Sequence, residues 1–140
     1  MSQIIVETKI TIQHEGQTQV LEYRSAHTGL TAIAHRDIAI AADGTPTLWD
    51  PTTDSTETVS DFDFLLAVSD GTLDLEKTAN EGHASETVST IRLFKDLPYM
   101  LGADDAYYDG GFSGTLDVID KLRADDPDSA ARKLKLIMAT

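Results

Sequence analysis

The chain has 140 residues, no cysteine and a formal charge of −13. That length fits one domain over residues 1–140 with a core of its own, and the missing thiols exclude disulfides and thiolate metal sites. The charge is uneven: Asp37 to Asp109 holds 16 acids and three bases, whereas the flanks hold eight of each. Such a field repels phosphate backbones and anionic bilayers, so neither nucleic acid nor membrane is an expected partner. No run approaches the roughly 18 apolar residues of a spanning helix, and Met1–Ile4 lacks the start of a signal peptide, so no leader is expected.

Along the chain the apolar residues recur with period two, the mark of strands with one buried face. Ile4, Val6, Ile10 and Ile12 alternate with polar residues up to the turn His14-Glu15-Gly16-Gln17. A second run through Val20, Leu21 and Tyr23 completes a predicted hairpin. Ile33–Ala41 is the next strand, ending at Asp43-Gly44-Thr45-Pro46. Asp61–Ser69 is the clearest strand, with Phe62, Phe64, Leu66 and Val68 on one face, and Leu65 and Ala67 making its later half apolar on both faces. Asp70-Gly71 is read as a hairpin turn into Leu73, Leu75 and Lys77.

Thr87–Lys95 follows, with Ile91 and Leu93 inward. Leu116–Arg123 and Lys133–Ala139 are expected to pair around Asp125-Asp126-Pro127-Asp128. Helix competes at Asp128–Met138, but Leu134, Leu136 and Met138 alternate with Lys133 and Lys135, which favours a strand. The expected fold is all-β, an antiparallel β-sandwich of jelly-roll-like form with about eight or nine strands. Leu48–Ser60 and Pro98–Gly114 show no strand pattern, and long segments of that kind commonly carry function.

Catalysis has little to rest on. His14, His27, His35 and His83 stand in no metal-ligand spacing, and no phosphate loop or nucleophile elbow is present. The chain is read as non-enzymatic, with no cofactor and no metal. Asp104, Asp105 and Asp109 lie within six residues beside glycines, a segment that could give calcium several of the six to eight oxygens it takes; it does not match the EF-hand pattern and one loop falls short of that number, so a solvated acidic loop is the favoured reading over a calcium site.

The binding candidates are aromatics and cations. Trp49, Tyr107, Tyr108 and Phe112 fall in the two unpatterned segments, where exposed aromatics serve sugar or protein recognition, unless Trp49 and one or two of the others plug the open ends of the sandwich, a reading that stands slightly ahead. Five bases follow position 120: Lys121, Arg123, Arg132, Lys133 and Lys135. On two paired strands they would form a cationic ladder. Lys133 and Lys135 are its solvent-facing members, placed to meet the acidic middle of a neighbouring copy.

Phe62–Glu76 (FDFLLAVSDGTLDLE), Leu97–Tyr108 (LPYMLGADDAYY) and Ile119–Leu136 (IDKLRADDPDSAARKLKL) resemble small β-sandwich virion structural proteins of tailed bacteriophages. These serve as capsid decoration (cement) or head- and tail-associated proteins. The resemblance lies in the order of parts over roughly the C-terminal half and assigns no residue a role. It implies a virion protein that decorates or cements a capsid, with further copies and the major capsid or another virion protein as partners. The alternative from another class is a carbohydrate- or receptor-binding β-sandwich using Trp49 or the tyrosine segment.

Overall fold

The hairpin predicted at the N-terminus forms, and it is long: β1 (Ser2–His14) pairs antiparallel with β2 (Gln17–Leu30). Glu15 and Gly16 at its tip have φ of 48° and 78°. This is the two-residue turn whose twist suits a hairpin, and its second position takes a glycine without strain. A computed structural model describes residues 2–59, 63–101, 107–109, 112–114 and 119–140, with the backbone alone for 107–109 and 112–114. The chain divides into two compact units, Met1–Thr31 and Ala32–Thr140. The sandwich expected over 1–140 therefore lies within the second unit. Among the described residues there is no helix, hence none long and apolar enough to cross a membrane.

The second unit holds β3 (Ile33–Ile40), β4 (Thr47–Trp49), β5 (Phe64–Ser69), β6 (Leu73–Ala79), β7 (Thr87–Leu93) and β8 (Tyr99–Leu101). The short β9 (Tyr107–Asp109) and β10 (Phe112–Gly114) follow, then β11 (Ile119–Asp125) and β12 (Arg132–Ala139). Apart from the separate β9–β10 pair, these strands form two four-stranded sheets, ordered β4-β11-β6-β7 and β3-β12-β5-β8. Every pairing in both is antiparallel.

Counted along the sandwich, the first strand pairs the last, the second the seventh, the third the sixth and the fourth the fifth. This is one long antiparallel ribbon wrapped on itself, the jelly roll. Its core is continuous between the sheets. Leu65, Ala67, Leu134, Leu136 and Met138 from one sheet cluster with Trp49, Leu73, Leu75, Leu93 and Leu122 from the other.

The wrapping corrects two expected hairpins. Asp70-Gly71 does not fold β5 onto β6, because those strands belong to different sheets. The connection passes between sheets and is pinned by Arg132, whose Nε donates to the Thr72 carbonyl at 3.0 Å. A Cβ on Gly71 would stand 2.6 Å from that nitrogen. Likewise β11 and β12 are not partners: β11 joins β4 and β6, and β12 joins β3 and β5. Between them Asp126 is buried, and its Oδ1 accepts from the Asp128 amide at 3.2 Å, closing a turn.

Alternation along a strand records which faces are buried but not which strand lies alongside. The unpatterned segments in turn contain strands of only three residues, β4 and β8, too short to show a period. The choice of strand over helix at residues 133–138 holds. Ile137, which interrupts the alternation, points to the outer face beside Leu66 and His35.

Candidate interaction surfaces

Trp49 is not a surface contact. It is 1% exposed, and its indole Nε1 donates to the Val59 carbonyl at 2.8 Å. A large ring with one polar atom satisfied inside is a core anchor. The next residue, Asp50, is also buried, and its Oδ1 accepts from the amides of Thr52 and Thr53 at 3.1 Å each. Burial alone would raise its pKa. The hydrogen bonds from Thr53 and Thr52, together with the Lys121 charge, outweigh burial and hold the carboxyl below its usual value. Nearby, Arg36 donates to the Leu48 carbonyl at 2.6 Å and pairs with the buried Glu57 carboxylate. The segment after β4 is thus tied down rather than offered to a ligand.

Tyr107, Tyr108 and Phe112 lie on β9 and β10, where Ser113 stands opposite Tyr108 and Phe112 opposite Asp109. Their side chains, like Asp104 and Asp105, fall outside the described residues. Among the described residues no three metal-ligating side chains come together.

The five C-terminal cations do not form one ladder. Arg123 pairs with Glu76 at 2.5 Å, Lys121 with Glu81 at 2.6 Å, and Arg132 with Asp128 at 3.3 Å. The Glu81 carboxylate holds the Lys121 ammonium above the usual lysine range, against a smaller loss from burial. The acidic middle of the chain therefore neutralises two of these cations, Arg123 and Lys121, within the same molecule. Arg92 adds a bidentate pair with Asp74, at 2.8 and 2.9 Å. Arg123, Glu76, Arg92 and Asp74 lie on the outer face of the sheet β4-β11-β6-β7, where their charges are paired within the molecule and Val88 is the exposed apolar neighbour.

The other outer face, on β3-β12-β5-β8, differs in kind. Lys133 and Lys135 project from it exposed, beside a groove of about 560 Å³ that Asp37, Val68, Asp70 and Asp96 also line. Asp70 is engaged by the backbone, its Oδ1 accepting the Lys133 amide at 2.9 Å. Further along, a row crosses three strands: Ile137 of β12, Leu66 of β5 and Met100 of β8. Met100 is 43% exposed, and Leu66, Val68 and Ile137 are only partly covered.

The ribbon of β1 and β2 repeats this contrast on its own two faces. On one, Glu7 pairs with Arg24 at 3.3 Å and Lys9 with Glu22 at 3.2 Å. The other face carries neither Asp, Glu, Lys nor Arg. Its cross-strand rows are Ile4–His27, Val6–Ser25, Thr8–Tyr23, Ile10–Leu21, Ile12–Gln19 and His14–Gln17. Ile10 is 44%, Ile12 45% and Tyr23 62% exposed. Sequence reasoning expected this stripe to be buried.

Lys77 is the other residue that sequence reasoning passed over. It is wholly buried in phase with Leu73 and Leu75; its Nζ donates to Tyr99 Oη at 2.9 Å and lies 5.0 Å from that ring's centre. Its place in the inward register of β6 was the available clue.

No family model and no curated protein matches the chain. Among solved structures it is similar to the "Crystal structure of Yersinia pseudotuberculosis-derived mitogen (YPM)", with 14% identity and a TM-score of 0.43 over 78% of this chain and 86% of that one.

Proposed function

We propose that the chain is a non-enzymatic structural protein of a virion, which decorates or cements a tailed-phage capsid through contacts among copies and with the capsid protein. The observation that carries this reading is the N-terminal ribbon. A two-stranded hairpin is marginally stable alone and needs a further layer against its apolar face. Here 31 residues form a unit of their own, and Ile10, Ile12 and Tyr23 of its apolar stripe are exposed while Ile4, Val6 and Leu21 are half-buried. A chain that invests so much of its length in such an arm suits assembly better than turnover of a small molecule.

The jelly roll is compatible with this role and equally with lectins. The carbohydrate reading, however, loses Trp49, the strongest stacking platform, to the core. The test is co-sedimentation of the purified protein with tailed-phage capsids stripped of their own decoration proteins, alongside a glycan array. Saturable uptake with a fixed number of copies per capsid is the expected result. Glycan binding without uptake onto any capsid would overturn the reading in favour of sugar recognition.

A further inference from the structure

The chain contains two Asp–Pro bonds, Asp50–Pro51 and Asp126–Pro127, and the fold treats their carboxyl groups in opposite ways. At Asp50 both side-chain oxygens are engaged. Oδ1 accepts the Thr52 and Thr53 amides at 3.1 Å each, and Oδ2 lies 3.9 Å from Lys121 Nζ. Asp126 is equally buried, at 5% exposed. Its Oδ1 accepts the Asp128 amide at 3.2 Å, but its Oδ2 is enclosed with no hydrogen-bond partner among the described residues. We propose that Asp126–Pro127 is a self-cleavage site, at which the unengaged Asp126 oxygen cuts the chain between β11 and β12 in mild acid. The cut concerns the covalent state of the jelly roll wherever the protein acts, so it does not rest on the capsid reading.

The reaction needs only this residue, its neighbour and water. In its acid form the Asp126 carboxyl attacks the carbonyl carbon of its own main chain. A C–O bond forms, closing a five-membered cyclic anhydride, and the C–N bond to Pro127 breaks. The carboxyl proton passes to the departing nitrogen, which becomes the secondary amine of a new N-terminal proline. Water then opens the anhydride, leaving Asp126 with an α-carboxyl and its side-chain carboxyl restored. The net change is the addition of one water. Proline suits the leaving position, because its amide nitrogen is tertiary and its departure costs the fold no N–H hydrogen bond.

What separates the two bonds is the carboxyl rather than the carbonyl. Both main-chain carbonyls accept an amide, Asp126 from Ser129 at 3.5 Å and Asp50 from Asp54 at 2.9 Å. Such a donor steadies the charge that develops on the oxygen, and Asp50 has the better one. To attack, however, the Asp50 carboxyl must leave two amides and Lys121. Against burial, hydrogen bonds from Thr53 and Thr52 and the Lys121 charge hold it below the usual value, in the anionic form that has no proton to give. Asp126 Oδ2 gives up no hydrogen bond in turning toward the carbonyl of the same residue. The charges where this turn meets its neighbours are Asp125 opposite Asp74 of β6, Arg92 of β7 on Asp74, Asp128 with Arg132 of β12, and Asp70. None of them hydrogen-bonds to Asp126 Oδ2. After the cut β12 remains paired to β3 and β5, with Leu134, Leu136 and Met138 in the core, so the two pieces part only on denaturation.

The test compares the two bonds in one molecule. The protein is held for days at about pH 5, roughly one unit above the ordinary aspartate value, with one sample folded by circular dichroism and another in denaturant. Mass spectrometry of the denatured products then counts fragments 1–126 and 127–140 against 1–50 and 51–140. In the folded sample the bond after Asp126 should break about tenfold faster than the bond after Asp50, or more. In denaturant, where neither carboxyl is positioned, the two rates should agree within about threefold. Pro127→Ala should slow the cut after Asp126 about tenfold in the folded protein while leaving the sheet spectrum unchanged. Asp126→Glu, whose longer side chain must close a larger ring, should slow it as well, which keeps the test open if Asp126→Asn fails to fold. A folded protein that keeps the bond after Asp126, or cuts both bonds in the ratio seen in denaturant, would overturn the proposal. So would cleavage after residue 126 at an unchanged rate in Pro127→Ala or Asp126→Glu.

Discussion

The two outer faces of the jelly roll are built from strands of similar length and pleat, yet they are finished in opposite ways. On β4-β11-β6-β7 each prominent cation has a carboxylate at hydrogen-bonding distance, Arg123 with Glu76 and Arg92 with Asp74. On β3-β12-β5-β8 the cations Lys133 and Lys135 flank an apolar row instead. A face whose charges satisfy one another is already complete in water. A face that leaves apolar area and cations open has something to gain from a partner. The same division on the two sides of the N-terminal ribbon gives it weight, because the ribbon and the sheet differ in sequence and share only the arrangement.

The comparison presumes that both sheets rest on one core, and the largest expected effect tests that. Trp49→Ala should cost about 3–5 kcal/mol in a denaturant titration, as the loss of a fully buried ring does. A loss below about 1 kcal/mol would return Trp49 to the surface and undo the assignment of faces.

Asp50→Asn should cost about 1 kcal/mol at neutral pH through weaker hydrogen bonds to Thr52 and Thr53. The carboxyl has a folded pKa below its ordinary 3.8. Its contribution is therefore fully present above pH 3.8 and disappears as pH falls through the lower, folded value. The gap between wild type and variant should close in acid melts over that window. A gap that widened on acidification would contradict the sign of the shift.

Arg123→Ala, on the internally paired face, should lower stability by about 0.2–1 kcal/mol and leave the mass in solution unchanged. A change of oligomeric state with this variant would place the partner on the wrong sheet.

Smallest in stability, within about 0.5 kcal/mol, is Lys133→Glu with Lys135→Glu, since both side chains are exposed. Their effect should fall on association: a slower rate whose dependence on salt differs from that of the wild type, read by stopped-flow light scattering. An unchanged rate at every ionic strength would remove these two lysines from the interface.

Much of the fold was open to reading along the chain. The ribbon, its turn, the inward phase of β7 and β12, and the all-β class all follow from period-two patterning and from turn chemistry at Glu15-Gly16; β5, apolar on both faces, was expected to be buried on both, and the structure buries Leu65 and Ala67 while leaving Leu66 and Val68 on the outer face. Pairing was not readable in the same way. Asp70-Gly71 and Asp125–Asp128 have the composition of hairpin turns, and in the folded chain both carry it from one sheet to the other. Turn residues record a local change of direction, whereas the partner of each strand is chosen by which apolar faces can close on a common core.

The candidate contact residues divide along the same line. The outward placement of Lys133 and Lys135 was readable because their alternation with Leu134 and Leu136 forces them outward on any sheet. Trp49 was misplaced because an aromatic in a segment without period looks like a loop residue, and only the β4–β11 pairing, with the Val59 carbonyl waiting inside, buries it.

By itself, then, the sequence determined the strand periodicity, the hairpin tip, the absence of thiol chemistry and the position of the acidic middle, because each depends on neighbours a few residues away. Only the tertiary structure decided that Arg123 and Lys121 would meet Glu76 and Glu81 across 47 and 40 residues. Only it left Lys133, Lys135 and the row at Ile137 outside those pairs. Ion pairing and burial act through space, and the wrapping of the jelly roll sets which distant residues share that space.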